Sequence, residues 1–563
     1  MTMKKKIISL LLCVAMVAAM FVGCGQKEEQ TSGEPAKTEQ ETAATEAEPE
    51  DKTLTVWVPD NVNIVDFETN EMTLWLEEQS GYDLEMIPLA SDGYLSKVNM
   101  ALTTGAIDEL PDIIMFLDKE ITDSYVYSWA VAESILPLTE YYADPEKAIH
   151  INKAIERTGV DYPKQIVAPD GNIYGFARFN QSYTNEFPAK LWIYEPWLEK
   201  LGAEIPTTTD EFYDLLSKVA TTDLNGNGKA DEIGMMGTVE GIRMFDSFWK
   251  ALMNGYIYAG DKQYLTVEDG KVAAAYTTDE WKEGLKFIKK FFDNGSIPAE
   301  ALTITEEQIT TMFNAEDVTI FSFCSYNPDY IEASNTERRL DYICIDTLTG
   351  PEGVNYAKYV PTTALPVMVV TANCKNPEAA FTIGDLMSSE YIGISQRFGK
   401  EGVDWDYVSN LDSAEGLQPA VEGFELSIMT YDDSTFWSNP TTSCWRQTGP
   451  FVRQYGIANG WATDPENVAE YTLHTNEANT LYQTAGHQPA EYIPKLNYTL
   501  EEVDIVTPIE GVLKTYVEES MANFVTGRKD IDADWDSYLA ELEKIGLNEY
   551  LDVVQDVYTR MYK

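Results

Sequence analysis

The chain has 563 residues, 44% hydrophobic and 24% charged, with 93 Asp and Glu against 40 Lys and Arg, a formal net charge of −53. Such a field repels nucleic-acid phosphates and anionic lipid surfaces, and no basic patch interleaved with aromatics offsets it locally, so nucleic-acid binding is excluded. Only three His occur (His150, His474, His487), and there is no G-x-S-x-G, H-E-x-x-H, C-x-x-C or Walker sequence, which argues against histidine-based or nucleotide chemistry. A carboxylate pair acting on a glycosidic bond stays open, because so many acids supply pairs by chance.

Residues 1–23 read as a secretory signal: Lys4, Lys5 and Lys6 precede an apolar run, Ile7 to Val22, too short to span a bilayer comfortably. Phe21-Val22-Gly23-Cys24 resembles the bacterial lipoprotein box, in which a Cys after a small residue is lipidated and becomes the mature N-terminus; Cys24 is the implied lipidation site. Residues 24–51 are Glu, Thr, Ala, Gln and Pro with almost nothing to bury, a disordered acidic tether. The folded part, residues 52–563, is therefore expected to work as a monomer on the outer face of the cytoplasmic membrane, held by an N-terminal lipid.

Leu54–Val58 and Leu84–Ile87 read as buried strands flanking a helix over Glu71–Gln79, stopped near Gly81. A helix over Tyr94–Thr104 and a third buried strand over Pro111–Phe116 continue the alternation. That rhythm predicts a parallel sheet covered on both faces, with ligands at the carboxyl ends of its strands. Thr208–Glu211 is a capping box for a helix burying Phe212, Leu215, Leu216 and Val219, and Thr277–Glu280 repeats the device for Trp281, Leu285, Ile288 and Phe292. Val318–Phe323 and Val367–Val370 read as strands, Asn376-Pro377 opens a helix, and the chain ends on two helices broken at Gly546.

The capped helix runs directly into DLNGNGKADE, where Asp223, Asn225, Asn227 and Asp231 fall at loop positions 1, 3, 5 and 9 and Gly228 at position 6 permits the sharp turn. Position 12 is Gly234, so the bidentate Glu of an EF-hand is missing, and Glu232 at position 10 is the nearest substitute. Asp223, Asn225, Asn227, Asp231 and Glu232 with the Lys229 carbonyl would supply about six oxygens, suited to a structural Ca²⁺. A metal-free Gly/Asn/Asp turn is the alternative, but such a turn does not require oxygen donors at every second residue.

Of the six Cys, Cys324, Cys344, Cys374 and Cys444 are widely spread and read as free buried thiols. Aromatic residues are plentiful, with 12 Trp, 33 Tyr and 21 Phe, and several lie beside Asn, Arg or Asp in apparent loops: Ala177–Phe187, Phe323–Tyr330 and Ser434–Phe451. Sugars are bound by flat apolar faces combined with planar hydrogen-bonding groups. Arg178, Tyr183, Asn185, Trp249, Tyr326, Trp437, Trp445 and Arg446 are the candidate ligand contacts, although any one of these aromatics serves as readily in the core.

Taken together, Thr103–Phe116, Ile135–Glu140, Asp170–Phe176, Leu191–Gly234 and Phe524–Tyr562 resemble the extracellular solute-binding lipoproteins of bacterial carbohydrate ABC importers, particularly the branch that includes alginate-binding proteins. The resemblance implies an α/β, two-lobed periplasmic-binding-protein-like fold of type II, with a hinge between the lobes and a helical C-terminus. Chain crossings are expected near 175–185, 350–365 and 400–440. It implies an oligosaccharide captured by hinge closure and delivered to a membrane permease, without catalysis, and the same six Ca²⁺ ligands. A peptide or other small solute is the rival ligand class, and a surface-tethered glycan hydrolase the rival activity.

Overall fold

Ten short strands build two separate sheets, and the way the chain shuttles between them defines the molecule. A computed structural model describes residues 52–104, 109–117, 121–238, 248–260, 263–332, 334–431, 439–464 and 470–563; the signal segment, the tether, Cys24 and Trp437 lie outside these. The larger sheet contains β1 (Thr53–Pro59), β2 (Asp83–Leu89), β3 (Ile113–Met115) and β4 (Phe176–Asn180). The smaller contains β5 (Lys190–Tyr194), β6 (Ile233–Met235), β7 (Ile320–Ser325) and β8 (Tyr342–Ile345); the chain then returns to the larger sheet for β9 (Leu365–Val370) and β10 (Phe451–Arg453).

The larger sheet has the order β10-β4-β9-β3-β1-β2. Strand β1 runs parallel to β2 and β3, and β10 parallel to β4, but β9 is antiparallel to both β3 and β4. The expectation of a wholly parallel sheet is thus corrected: β9 arrives from the other lobe by a long passage and need not obey the βαβ crossover rule that aligns β1, β2 and β3. Both faces are covered, one by the core around Leu54, Val56, Met115, Phe176 and Met368, the other by that around Trp129, Ile114, Val367 and Val369. In the smaller sheet, order β8-β5-β7-β6, β5 is antiparallel to both neighbours, and only β6 and β7 run parallel.

Local signals translate directly into elements. Asn70 caps the helix Glu71–Ser80 by accepting from the Met72 N–H, and Gly81 ends it at φ +73°, a conformation open to glycine without a Cβ penalty. Thr208 and Glu211 form the complete capping box of helix Thr209–Val219, whose Phe212, Leu215, Leu216 and Val219 are all buried. The second TTDE is displaced by one residue: Thr278, not Thr277, caps helix Asp279–Asp293, which puts Trp281 at the third position and leaves no reciprocal Glu. On that helix Phe291 is the fully buried residue and Phe292 only packs against the core from outside.

The C-terminal helices Leu500–Val525, Ile531–Ile545 and Leu547–Tyr562 pack with the smaller sheet in one continuous core, with Gly546 at φ +115° between the last two. Among the described residues Cys324, Cys374 and Cys444 are buried and Cys344 half-buried, all four outside any disulfide.

Candidate ligand site and cation loop

The chain leaves the larger sheet after β4 through residues 181–189, comes back through 346–364, and leaves again after β10. The third passage is therefore not at 400–440; that stretch holds a small ribbon in which Trp405–Tyr407 pairs with Ile428–Thr430. The passages converge. A single turn of helix, Tyr183–Glu186, occupies the first, and the Tyr183 ring stacks on Tyr455 of the third at 4.6 Å and 17°, with Phe424 edge-on at 5.7 Å. Glu186 is 2% exposed, yet its Oε1 accepts from the hydroxyls of Thr362 and Tyr455 and its carbonyl from the Val360 N–H. Burial raises the Glu186 carboxyl pKa, against the hydrogen bonds from Tyr455 and Thr362, which lower it. Burial likewise pushes the Tyr183, Tyr359 and Tyr455 hydroxyls up, so these rings stay neutral.

At the far end of the first passage Lys190 is fully buried; its ammonium donates to the Phe187 carbonyl at 2.9 Å and stands 5.0 Å from the centre of the Tyr326 ring. Burial pushes its pKa down to about 8. At the near end, Arg178 lies 4.9 Å over the Phe451 ring and its Nη2 donates to Gln447 Oε1 at 3.3 Å. Gln447 and Arg446 hold φ values of +65° and +51°, two successive non-glycine residues in the left-handed region, strain of the kind concentrated at ligand sites.

A groove of about 660 Å³ adjoins this floor, lined by Gln418, Glu422, Asn476, Glu477, Thr480 and Leu481 among others. Leu481 also packs against the cluster of Phe187, Tyr482, Tyr183 and Tyr359, so polar groove and aromatic floor share a wall. The volume is that of a small-molecule site, with amides, hydroxyls and carboxylates for directional contacts.

Of the candidate contacts, Arg178, Tyr183, Tyr326 and the exposed Asn185 lie along or at the ends of the first passage. Two belong elsewhere. Trp249 is 1% exposed between Tyr264 and Trp281, and Trp445 is fully buried with its indole N–H donating to Thr73 Oγ1 at 3.0 Å; both are core residues, because neither ring has a face left for a ligand. Arg446 is 7% exposed and its Nη2 donates to the Asn439 carbonyl at 2.6 Å. Tyr455, Phe424, Tyr359 and Glu186 were not singled out from the sequence, since no motif distinguishes them from other aromatics and acids; only convergence of the passages does.

The acidic loop is pre-shaped. Asp223 accepts from the N–H groups of Gly226, Asn227 and Gly228, and Gly226 and Gly228 take φ values of +80° and +86°. The amides of Asn225 and Asn227 both reach Asp231, and the Lys229 N–H donates to Asn227 Oδ1. Glu232 turns inward: it is 4% exposed, its Oε1 accepts from Leu224 and Asn225 N–H groups, and its Oε2 is buried with no hydrogen-bond partner. Gly234 explains the departure from an EF-hand, because a Cβ there would lie 2.8 Å from Leu216 Cγ and 2.9 Å from the Ser296 carbonyl. No side chain fits at position 12. Among the described residues no group of three or more His, Cys, Asp and Glu side chains is arranged as a metal cluster. The loop's fit to a hard cation rests instead on mixed carboxylate and amide oxygens and on the unpartnered Glu232 oxygen, which is costly to bury without a cation or a proton.

No family model matches the chain. The fructooligosaccharide ABC transporter substrate-binding protein FusA of Streptococcus pneumoniae serotype 4 is 26% identical over 510 residues, 86% of this chain and 85% of FusA. A FusA EF-hand mutant in complex with fructo-nystose superposes with a TM-score of 0.67 at 22% identity, over 90% of this chain and 99% of that one. An HMO binding, ABC-transporter associated solute-binding protein of Bifidobacterium longum infantis gives 0.70 at 19% identity, over 91% and 99%. The alginate-binding protein AlgQ2, solved without calcium ion, gives 0.58 at 18%, over 90% and 98%. These likenesses show the α/β fold of two-domain solute-binding proteins, and FusA is a substrate-binding protein of an ABC transporter. In sequence this chain is similar to the substrate-binding protein of an ABC transporter, and in fold to two-domain solute-binding proteins.

Proposed function

We propose that the chain captures an oligosaccharide between its two lobes and presents it to an ABC permease. The observation that carries this reading is the Tyr183–Tyr455 stack at the meeting point of the three passages, beside a groove lined by amides and hydroxyls. Flat rings meet the C–H faces of a sugar, and the polar groups fix its hydroxyls. A ligand touching both lobes favours the closed arrangement because only there are all its contacts made, and hinge residues in the passages absorb the motion.

In the same reading Asp223, Asn225, Asn227, the Lys229 carbonyl, Asp231 and Glu232 hold a structural Ca²⁺. When bound, the ion neutralises the buried Glu232 carboxylate and ties helix Thr209–Val219 to β6. Cys24 carries the lipid, residues 24–51 form the leash, and the protein acts as a monomer at the outer face of the membrane.

The test is thermal unfolding of residues 52–563 with calcium, against kestose, neutral and uronate oligosaccharides, and short peptides. A saturable rise in Tm with one glycan class, the glycan recovered intact, is expected; a rise with peptides alone overturns the sugar assignment. Mass spectrometry of the membrane-bound protein should find Cys24 as a diacylated N-terminus, and Cys24→Ala should release the chain.

A further inference from the structure

Each of the three passages contributes to one buried carboxyl group. Glu186 comes from the first, Thr362 and Val360 from the second and Tyr455 from the third, and Oε1 of Glu186 accepts from both hydroxyls while its carbonyl accepts from the Val360 N–H. Tyr455 is also tied to the first passage by the Gln181 side chain, whose Oε1 accepts from the Tyr455 N–H at 3.3 Å. The ring that Glu186 holds by its hydroxyl is the one on which Tyr183 stacks, and Phe187, next to Glu186, packs on Tyr359 at 5.4 Å. A buried carboxyl group is costly unless it is hydrogen-bonded, and here its Oε1 joins segments far apart in the chain.

We infer that Glu186 is the positioning residue of the ligand site: its carboxyl group holds Tyr455, and through it the Tyr183 platform, in register with residues 360–362, so that the three passages move as one unit. This rests on the oligosaccharide reading only for the choice of ligand. The groups facing the carboxyl are Tyr183 on its own turn, Tyr359 and Thr362 on the second passage and Tyr455 on the third; among the described residues no ammonium or guanidinium forms an ion pair with it. With the pKa of Glu186 raised in the folded state, the protonated form is favoured there. Its contribution to stability is complete below the unfolded carboxyl pKa and is lost as pH rises through the folded one.

The experiment is a double-mutant cycle of Glu186→Ala and Tyr455→Phe, with Glu186→Gln as the conservative variant, in residues 52–563. Kestose binding should weaken about tenfold in each single variant and no further in the double, because both remove the same link. Glu186→Gln, which keeps an acceptor oxygen, should restore affinity. Additive losses, or Glu186→Gln as weak as Glu186→Ala, would overturn the proposal. Calorimetry without ligand gives an independent reading: Glu186→Gln should melt above the wild type on the alkaline side, and the gap should narrow as pH falls toward the unfolded carboxyl pKa of about 4.3. A gap that does not change with pH would also overturn it. If wild-type protein ignores kestose, the choice of sugar fails, and the ligand-free cycle and pH series still decide the role of Glu186.

Discussion

The acidic loop and the ligand floor are built from similar materials, side-chain oxygens held by turns, but they are assembled in opposite ways. The loop takes all its candidate donors from one stretch, Asp223 to Glu232, and its shape is held mainly by hydrogen bonds within that stretch, with outside ties from Asn225 to the Val318 carbonyl and from Lys200 to the Leu224 carbonyl. The floor takes Glu186, Thr362, Phe424 and Tyr455 from segments separated by up to 269 positions. A local site keeps its shape as long as its own turn survives. A site made by convergence exists only while both sheets and all three passages are in place, and its affinity is accordingly open to tuning by the hinge.

The contrast is broken most severely at the core tryptophans. Trp445→Ala and Trp249→Ala should each cost about 3–5 kcal/mol of stability, measured by chemical denaturation, and ligand affinity of the remaining folded protein should stay within about twofold. A selective loss of affinity at unchanged stability would return these rings to the ligand site. Next comes Glu232→Ala, which strands the Leu224 and Asn225 N–H groups and should cost about 2–4 kcal/mol, together with loss of any calcium-dependent rise in Tm. Removing calcium from the intact protein should lower stability by about 2.7 kcal/mol if the ion was present at a hundredfold over its Kd. Titration calorimetry on the chelated protein should find the sugar affinity little changed, since the loop follows helix Thr209–Val219 and is not among the residues of the floor. The smallest effect is at Tyr183→Ala, where loss of one stacking face should weaken binding by about 0.5–1.5 kcal/mol with a minor change in Tm. If Tyr183→Ala instead unfolds the protein, the stack is a structural clamp and not a platform.

How far these features could be seen in advance differs in a consistent way. Thr208 with Glu211, Asn70 with Gly81, and the glycines of the acidic loop were recognisable because each acts within a few residues, where capping and φ preference depend on residue type alone. The second TTDE shows the limit even there: its spacing predicts the box at Thr277, but the Ala275–Thr277 turn brings Thr278 to the cap. Trp249 and Trp445 show a larger limit. Each stands directly before a basic residue, Lys250 or Arg446, yet Tyr264, Trp281 and Thr73 close over them from other segments.

Residue type and spacing thus determined the helix caps, the buried stripes, the oxygen pattern at Asp223–Glu232 and the strongly acidic surface, since each follows from forces acting within a turn or two. The direction of β9, the place of the third passage, the exclusion of any side chain at Gly234 and the meeting of Glu186, Thr362 and Tyr455 were decided by packing between segments far apart. Those arrangements answer to the demand that apolar faces be covered and buried polar groups be paired, a demand met over the whole fold and not along any one stretch of it.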